Sequence, residues 1–323
     1  MAGAKITYDA AVTQAVRQGL THYPKYLPSW LFYDELGDQL FRRIMRMPEY
    51  YLTRCEYDIL QHNKEALRKH FSRNNEAFRL VELGAGDGLK TEILLRNFVD
   101  HSIDFTYAPV DISANALDIL KSRLLDNNLS QLRFDPINDS YDGALARLHT
   151  SREKKVILFL GASIGNFSVE EAAQFLRKLA RPLNDNDLIL LGIDLKKDPR
   201  IILEAYDDPQ GLTASFNKNM LTRLNREAGA TFDPENFMHF PYYDPQSGAA
   251  KSFLVSKREQ VVTVDAIGKS ISFDPWESIQ TEVSQKYDLG MIEKMMAITG
   301  LKIIEIFFDS DHYFCDILLR PNR

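Results

Sequence analysis

Phe78–Arg79–Leu80–Val81–Glu82–Leu83–Gly84–Ala85–Gly86–Asp87–Gly88 runs from a mostly apolar stretch into an acid and three closely spaced glycines. The apolar part reads as a β-strand ending at Leu83. A helical pattern follows at once in Lys90–Thr91–Glu92–Ile93–Leu94–Leu95–Arg96. Strand, glycine turn and helix in this order form the opening unit of a nucleotide-binding α/β sheet. Glycines let the backbone turn tightly and approach a ligand closely, and the helix behind them offers unpaired N–H groups at its N-terminus.

Working outward, the spacing is G-x-G-x-G. The dinucleotide fingerprint needs a glycine where this chain has Leu89. A second acid, Asp111, closes the next apolar run, Asp104–Phe105–Thr106–Tyr107–Ala108–Pro109–Val110. A carboxylate there can accept from both hydroxyls of a ribose. The acid Glu82, the loop with Gly84 and Gly86, and Asp111 together resemble motif I of the class I methyltransferases. That resemblance implies S-adenosylmethionine as cofactor and S-adenosylhomocysteine as product.

Alternation of strand and helix continues, with strands expected near 78–83, 104–110, 131–135, 155–160 and 187–193. Val156–Ile157–Leu158–Phe159–Leu160 and Leu188–Ile189–Leu190–Leu191 are continuous apolar runs, as parallel strands covered on both faces require. Between them Ser168–Val169–Glu170–Glu171 reads as a capping box opening a helix to about Arg181. The fold class is therefore α/β, a doubly wound Rossmann-like sheet. Near the C-terminus Asp288 to Thr299 reads as a helix, followed by strands at Lys302–Phe308 and His312–Leu319. An antiparallel pair closing a parallel sheet is what the methyltransferase resemblance implies.

Two parts do not belong to that alternation. Before the glycine loop, Leu27 to Met47 is rich in aromatics and leucine, much of it at helical spacing. Pro48 interrupts it, and Thr53–Arg54–Cys55–Glu56 reads as a capping box for a helix to about His70. The polar run Ser72–Arg73–Asn74–Asn75–Glu76 then leads into the first strand. Within 197–285, helices are expected at Arg200 to Ala205 and Leu212 to Ala228, and β-segments near 237–243, 251–256, 259–265 and 269–274. The expected organisation is a cofactor domain of residues 61–196 plus 286–323, and a substrate-binding lid of 1–60 plus 197–285.

Composition narrows the partners. A hydrophobic fraction of 45% suffices for a large core. The net charge of −6 gives no electrostatic drive toward nucleic acid or an anionic membrane. Two cysteines, Cys55 and Cys315, make neither a disulfide framework nor a zinc spacing and fit a reducing cytoplasm. The seven histidines are scattered, so no metal is expected. No signal-peptide pattern opens the chain, and no apolar run approaches the ~18 residues of a membrane span. The expected partner is a small molecule, with no nucleic acid and no membrane, bound by a monomer.

The acceptor should lie beside Gly161–Ala162–Ser163–Ile164–Gly165–Asn166–Phe167, the loop after the fourth strand. Amino-methyltransferases acting on nucleic-acid bases carry an Asn/Asp-Pro-Pro-aromatic motif there; this chain lacks it. Asn166 offers an amide suited to a small polar substrate.

Several further strings resemble the histidine-specific methyltransferase family. They are Phe32–Tyr33–Asp34, Pro48–Glu49–Tyr50–Tyr51, Thr53–Arg54–x–Glu56, Phe159–Leu160–Gly161–x–x–Ile164–Gly165–Asn166, Ala205–Tyr206–Asp207–Asp208–Pro209, Thr213–Ala214–x–Phe216–Asn217 and Thr281–Glu282–x–Ser284. The resemblance runs from about residue 24 to the C-terminus. It implies methylation of the α-amine of histidine, up to three times, giving hercynine on the route to ergothioneine. Carried over, Gly84, Lys90, Asp111, Asp139 and Ser140 bind the cofactor, with Asp139 near the adenine. Tyr50, Asn166 and Tyr206 hold the substrate carboxylate beside Gly161. Tyr33 lies near the amine, so Tyr33 and Tyr50 are the catalytic candidates. Glu282 and Ser284 grip the imidazole. One position departs from the pattern: Ser252 stands where the family has a methionine against the imidazole. That enlarges the site and leaves tryptophan, arginine or a histamine-like amine as alternative substrates.

Overall fold

A computed structural model describes residues 8–73, 76–148 and 153–322. Of the polar run expected before the first strand, Asn74 and Asn75 lie outside the described residues. In chain order the elements are α1 (Ala10–Leu20), β1 (Lys25–Tyr26), α2 (Glu35–Ile44), α3 (Tyr51–Phe71), β2 (Phe78–Leu83), α4 (Glu92–Asp100), β3 (Phe105–Asp111), α5 (Ala114–Asp126), β4 (Arg133–Phe134), β5 (Ile137–Asn138), α6 (Tyr141–Leu148), β6 (Lys154–Phe159), α7 (Val169–Ala180) and β7 (Leu188–Asp194). There follow α8 (Pro199–Glu204), α9 (Leu212–Ala228), β8 (Phe237–Asp244), β9 (Ala249–Ser256), β10 (Gln260–Val264), β11 (Lys269–Phe273), β12 (Ser278–Gln285), α10 (Leu289–Thr299), β13 (Leu301–Phe308) and β14 (Phe314–Pro321). They divide into two compact units, Met1–Tyr50 with Asp198–Ser284, and Tyr51–Lys197 with Gln285–Arg323.

The second of these, the sheet unit, carries an eight-stranded sheet. Its order is β13-β14-β7-β6-β2-β3-β4, with β5 also pairing with β3. β2 pairs in parallel with β3 on one side and β6 on the other, so the strand order reverses at β2. Ligands of open α/β sheets bind at the carboxyl ends of the strands where the order reverses. β14 is antiparallel to both β13 and β7. β6 and β7 are buried along their whole length, as their unbroken apolar runs require. Val81, Ile157, Phe159, Leu191 and Ile317 form one core with Leu176 of α7 and Met295 of α10. The Ser168 capping box forms as expected: Ser168 Oγ accepts from the Glu171 N–H, and Glu171 accepts from the Ser168 N–H.

The capping box expected at Thr53 does not form. α3 begins at Tyr51, so Thr53 lies inside the first turn, and Glu56 is fully buried instead of reaching back to a cap. The whole of α3 belongs to the sheet unit, including residues 51–60, which were expected with the lid.

The other unit holds a four-stranded sheet of order β1-β12-β9-β8 and a separate β10–β11 hairpin. β8 and β9 are antiparallel from Phe237↔Ser256 to Asp244↔Ala249. α9 lays Phe216, Met220, Leu221 and Leu224 into a core shared with Val16 of α1, Leu40 of α2, Leu254 and Ile279. Gly229, left-handed at φ +60°, ends α9. β12 and α1 are elements that sequence patterning did not single out. In β12 Ile279 is the one large apolar residue among the buried positions, and Thr281, Ser284 and Gln285 take up the others.

Candidate functional site

The glycine loop sits at the carboxyl end of β2. The Gly84 and Ala85 N–H groups both donate to the Val110 carbonyl, at 2.8 and 3.2 Å, and this turns the chain back over β3. Gly84 has φ +72°, and a Cβ there would stand 2.8 Å from the Tyr141 hydroxyl. Gly88 has φ +66°, and its Cβ would overlap Leu120 at 2.2 Å. Asp111, at the end of β3, accepts from the Gly86 N–H at 3.0 Å and from the Ser113 N–H at 2.9 Å. Each of its oxygens carries two lone pairs, so the same carboxylate can also accept from a diol. The Asp139 N–H donates to the Asp111 carbonyl at 3.2 Å, which places Asp139 and Ser140 beside Asp111. Asp139 accepts from the Ser140 N–H at 2.8 Å and faces Arg147 at 3.5 Å. Gly84, Gly86, Asp111, Asp139 and Ser140 thus gather at one place. An open loop, a diol acceptor and a neighbouring polar pair fit S-adenosylmethionine.

Asp111→Ala is expected to weaken S-adenosylhomocysteine binding about 10- to 100-fold, the worth of hydrogen bonds to a charged acceptor. Titration calorimetry measures it, and an unchanged Kd removes Asp111 from the cofactor's ligands.

Lys90 is engaged inside the protein. Its ammonium pairs with Glu56, and Glu56 also accepts from the Gly161 N–H, at 2.7 Å through Oε1 and 3.0 Å through Oε2. One buried carboxylate therefore ties α3 to the glycine loop and to the loop after β6. Burial works against the charge of Lys90, but the Glu56 carboxylate outweighs it, so the lysine pKa is raised. Asp316 on β14 stands close by. A Cβ on Gly192 would lie 2.2 Å from Glu56 Oε1 and 3.3 Å from Asp316 Oδ1. Burial, with the charge of Glu56, holds the Asp316 carboxyl well above the usual range. Gly161 itself has φ +74° and is exposed. Asn166 closes the 3-10 turn Ser163–Asn166 and is exposed.

Glu82 is turned inward. It is 4% exposed, and its two oxygens accept from the hydroxyls of Thr91 and Tyr107. The sequence placed it among the cofactor's ligands, whereas the structure engages both oxygens beneath the loop. Burial pushes its pKa up to about 7, against the pull of those two hydroxyls. The unfolded chain sheds this proton near pH 4.5, while the folded protein keeps it to about pH 7. The folded state then binds more protons, so this group makes stability fall as pH rises between those values. Glu82→Gln is expected to flatten that fall. Urea unfolding at pH 5 and pH 8 measures it, and an undiminished fall in the variant argues against the assignment.

In the other unit, Phe41 of α2 sits among Tyr33, Tyr50 and Phe216, at ring-centroid distances of 5.7, 6.1 and 5.7 Å. The structure thus brings Tyr33 and Tyr50 into one aromatic group. Phe41, which sequence reasoning recorded only as part of a helical stretch, is its centre. Its residue type was the one available signal. Tyr206 is 6% exposed just after α8. Ser252 on β9 is fully buried, and its hydroxyl donates to Glu282 Oε2 at 3.1 Å. Thr281, next to Glu282, donates to Asn217 Oδ1 at 2.6 Å and to the Ser252 carbonyl at 3.0 Å. This fixes β12 to α9 and β9. Ser284 is buried on the same strand.

The fold and loop define a class I, S-adenosylmethionine-dependent methyltransferase. A solved structure, that of the mitomycin 7-O-methyltransferase MmcR, shares the fold with a TM-score of 0.50 at 10% identity, covering 96% of this chain and 66% of that one. The profile of the family described as histidine-specific methyltransferase, SAM-dependent, matches residues 12–321, and the chain belongs to that family. It is 34% identical over 299 residues to the histidine N-alpha-methyltransferase of Mycobacterium tuberculosis, covering 93% of this chain and 91% of the relative. It is also 32% identical over 266 residues to ergothioneine biosynthesis protein 1 of Schizosaccharomyces pombe, covering 80% of this chain and 34% of that protein. Among the described residues no helix is long and apolar enough to cross a membrane, and no group of three or more His, Cys, Asp or Glu residues is arranged to hold a metal.

Proposed function

We propose that this enzyme methylates the α-amine of L-histidine, up to three times, to give hercynine. The observation that carries the reading is the Ser252–Glu282 pair, a buried hydroxyl donating at 3.1 Å to a half-buried carboxylate. A carboxylate fixed in this way accepts from an imidazole N–H and disfavours a phenyl ring, which has none to give. The family match and the relatives' activities support the same substrate.

When bound, S-adenosylmethionine supplies an electrophilic methyl on a sulfonium. The chain's own residues do the rest. Asp111 takes the ribose hydroxyls, Asp139 and Ser140 the base, and Lys90, steadied by Glu56, the end of the loop. Tyr50, Tyr206 and Asn166 take the substrate carboxylate with neutral donors, which leave the amine its basicity. Holding the amine in one orientation supplies much of the acceleration. Tyr33 lies near the amine, and the aromatic group of Tyr33, Phe41, Tyr50 and Phe216 presents faces that tolerate the quaternary ammonium of the product. Ser284 accompanies Glu282 on the imidazole. The enzyme works as a cytoplasmic monomer on a free amino acid, a reading its net charge of −6 and missing base-methylation motif support over nucleic acid.

The test is turnover by mass spectrometry, with S-adenosylmethionine and each of the twenty amino acids plus histamine and tryptamine. Up to three methyls on histidine alone is the expected result. Turnover of another amine with histidine inert overturns the substrate and makes Ser252 the first position to change.

A further inference from the structure

The backbone passes between the two units three times, at Tyr50–Tyr51, Lys197–Asp198 and Ser284–Gln285. On the sheet-unit side, all three passages lead to one carboxylate, that of Asp194 at the end of β7. The Tyr51 hydroxyl donates to Asp194 Oδ2 at 2.8 Å. Lys197 Nζ donates to Oδ1 at 2.5 Å, and Lys286 Nζ lies 2.7 Å from Oδ2. Asp194, Tyr51 and Lys286 are buried, and the Lys197 side chain is 4% exposed. The Lys197 ammonium also donates to the Tyr51 hydroxyl at 2.9 Å and stands over the Tyr51 ring at 4.2 Å. Backbone bonds join two of the passages directly. The Tyr287 N–H donates to the Asp194 carbonyl at 3.0 Å, and the Lys196 N–H to the Tyr287 carbonyl at 2.8 Å.

Two ammoniums and a carboxylate out of water are costly, and apolar residues of the same volume usually stabilise a fold at least as well. What such a cluster adds is direction: each donor is fixed in angle as well as distance. The residues it fixes are the neighbours of candidate substrate ligands. Tyr51 follows Tyr50, and Lys286 lies two residues beyond Ser284 and four beyond Glu282.

We propose that Asp194 is a positioning residue that sets where the chain enters and leaves the unit carrying Tyr50, Glu282 and Ser284, and through them the KM for the amino acid. The KM part rests on the substrate roles proposed above. Asp194→Asn strands two buried ammoniums and is expected to unfold the sheet unit, so Tyr51→Phe, which removes a single hydroxyl, carries the test.

In Tyr51→Phe, amide hydrogen exchange is expected to quicken roughly tenfold around Tyr51, Lys197 and Lys286 together. The KM for histidine is expected to rise about fivefold or more, with kcat and S-adenosylhomocysteine affinity within about twofold of wild type. Quickening confined to the segment around Tyr51 overturns the proposal. So does a KM that stays put, or one that moves only in step with cofactor affinity. Exchange needs no substrate. If histidine proves inert, the exchange result still decides the role of Asp194, and KM is read on the amine that wild type does turn over.

Discussion

Glu56→Ala is expected to destabilise the sheet unit by about 3 kcal/mol, because removing one partner of a buried pair leaves the other charge uncompensated. Here the loss is double. The Lys90 ammonium loses its counter-ion and the Gly161 N–H loses its carboxylate acceptor, and both sit on loops at the carboxyl ends of central strands. The thermal midpoint should fall by roughly 6–12 °C. Glu56→Gln keeps an acceptor for Gly161 and should recover part of that loss while leaving Lys90 without its anion. Calorimetry on the two variants checks the ordering. If alanine and glutamine behave alike, the contact with Gly161 carries none of the stability. If alanine matches wild type, the network is ornamental.

The second large effect concerns selectivity. Glu282→Ala should raise the KM for histidine about 10- to 100-fold, as loss of a hydrogen bond to a charged acceptor does. Turnover of phenylalanine, whose ring has no N–H to give, should change little where measurable. Ser252→Ala removes the hydroxyl that orients the carboxylate and should give a smaller shift in the same direction, about three- to tenfold. Steady-state kinetics on two substrates separates the outcomes. Equal losses on histidine and on an aromatic amino acid would make Glu282 a structural residue. A Ser252→Ala enzyme with an unchanged KM would show that Glu282 needs no orienting partner.

The glycine loop and the apolar strands made the sheet legible, because parallel strands buried on both faces leave an unbroken apolar signature. Asp111 was legible for a related reason: its place at the end of the second strand follows from the unit itself. Glu56 was not. Thr53 and Glu56 have the spacing of a capping box, and only the start of α3 at Tyr51 shows that the acid faces inward. Glu82 looked like a ligand because it precedes the glycines, and nothing local reveals that the Thr91 and Tyr107 hydroxyls claim its oxygens. β12 was hidden by its polarity, since half of its buried face is threonine and serine. Glu282 and Ser284 became candidates through family resemblance, and that resemblance could not supply the Ser252 hydroxyl bonded to Glu282. Asp194 carries no motif at all. Its importance comes from three passages of the chain, far apart in sequence, meeting at one strand end.

The position of β14 bears on how the protein is made. Strand Phe314–Pro321 lies between β13 and β7, antiparallel to both and buried almost throughout. Until those residues have left the ribosome, β7 offers nascent-chain neighbours an open apolar edge, with more than a hundred residues already synthesised beyond it. Such edges invite pairing with the wrong chain. Synthesis of this protein therefore passes through a long interval in which its most buried sheet is unfinished, and chaperone occupancy during translation should be highest between the emergence of β7 and that of β14.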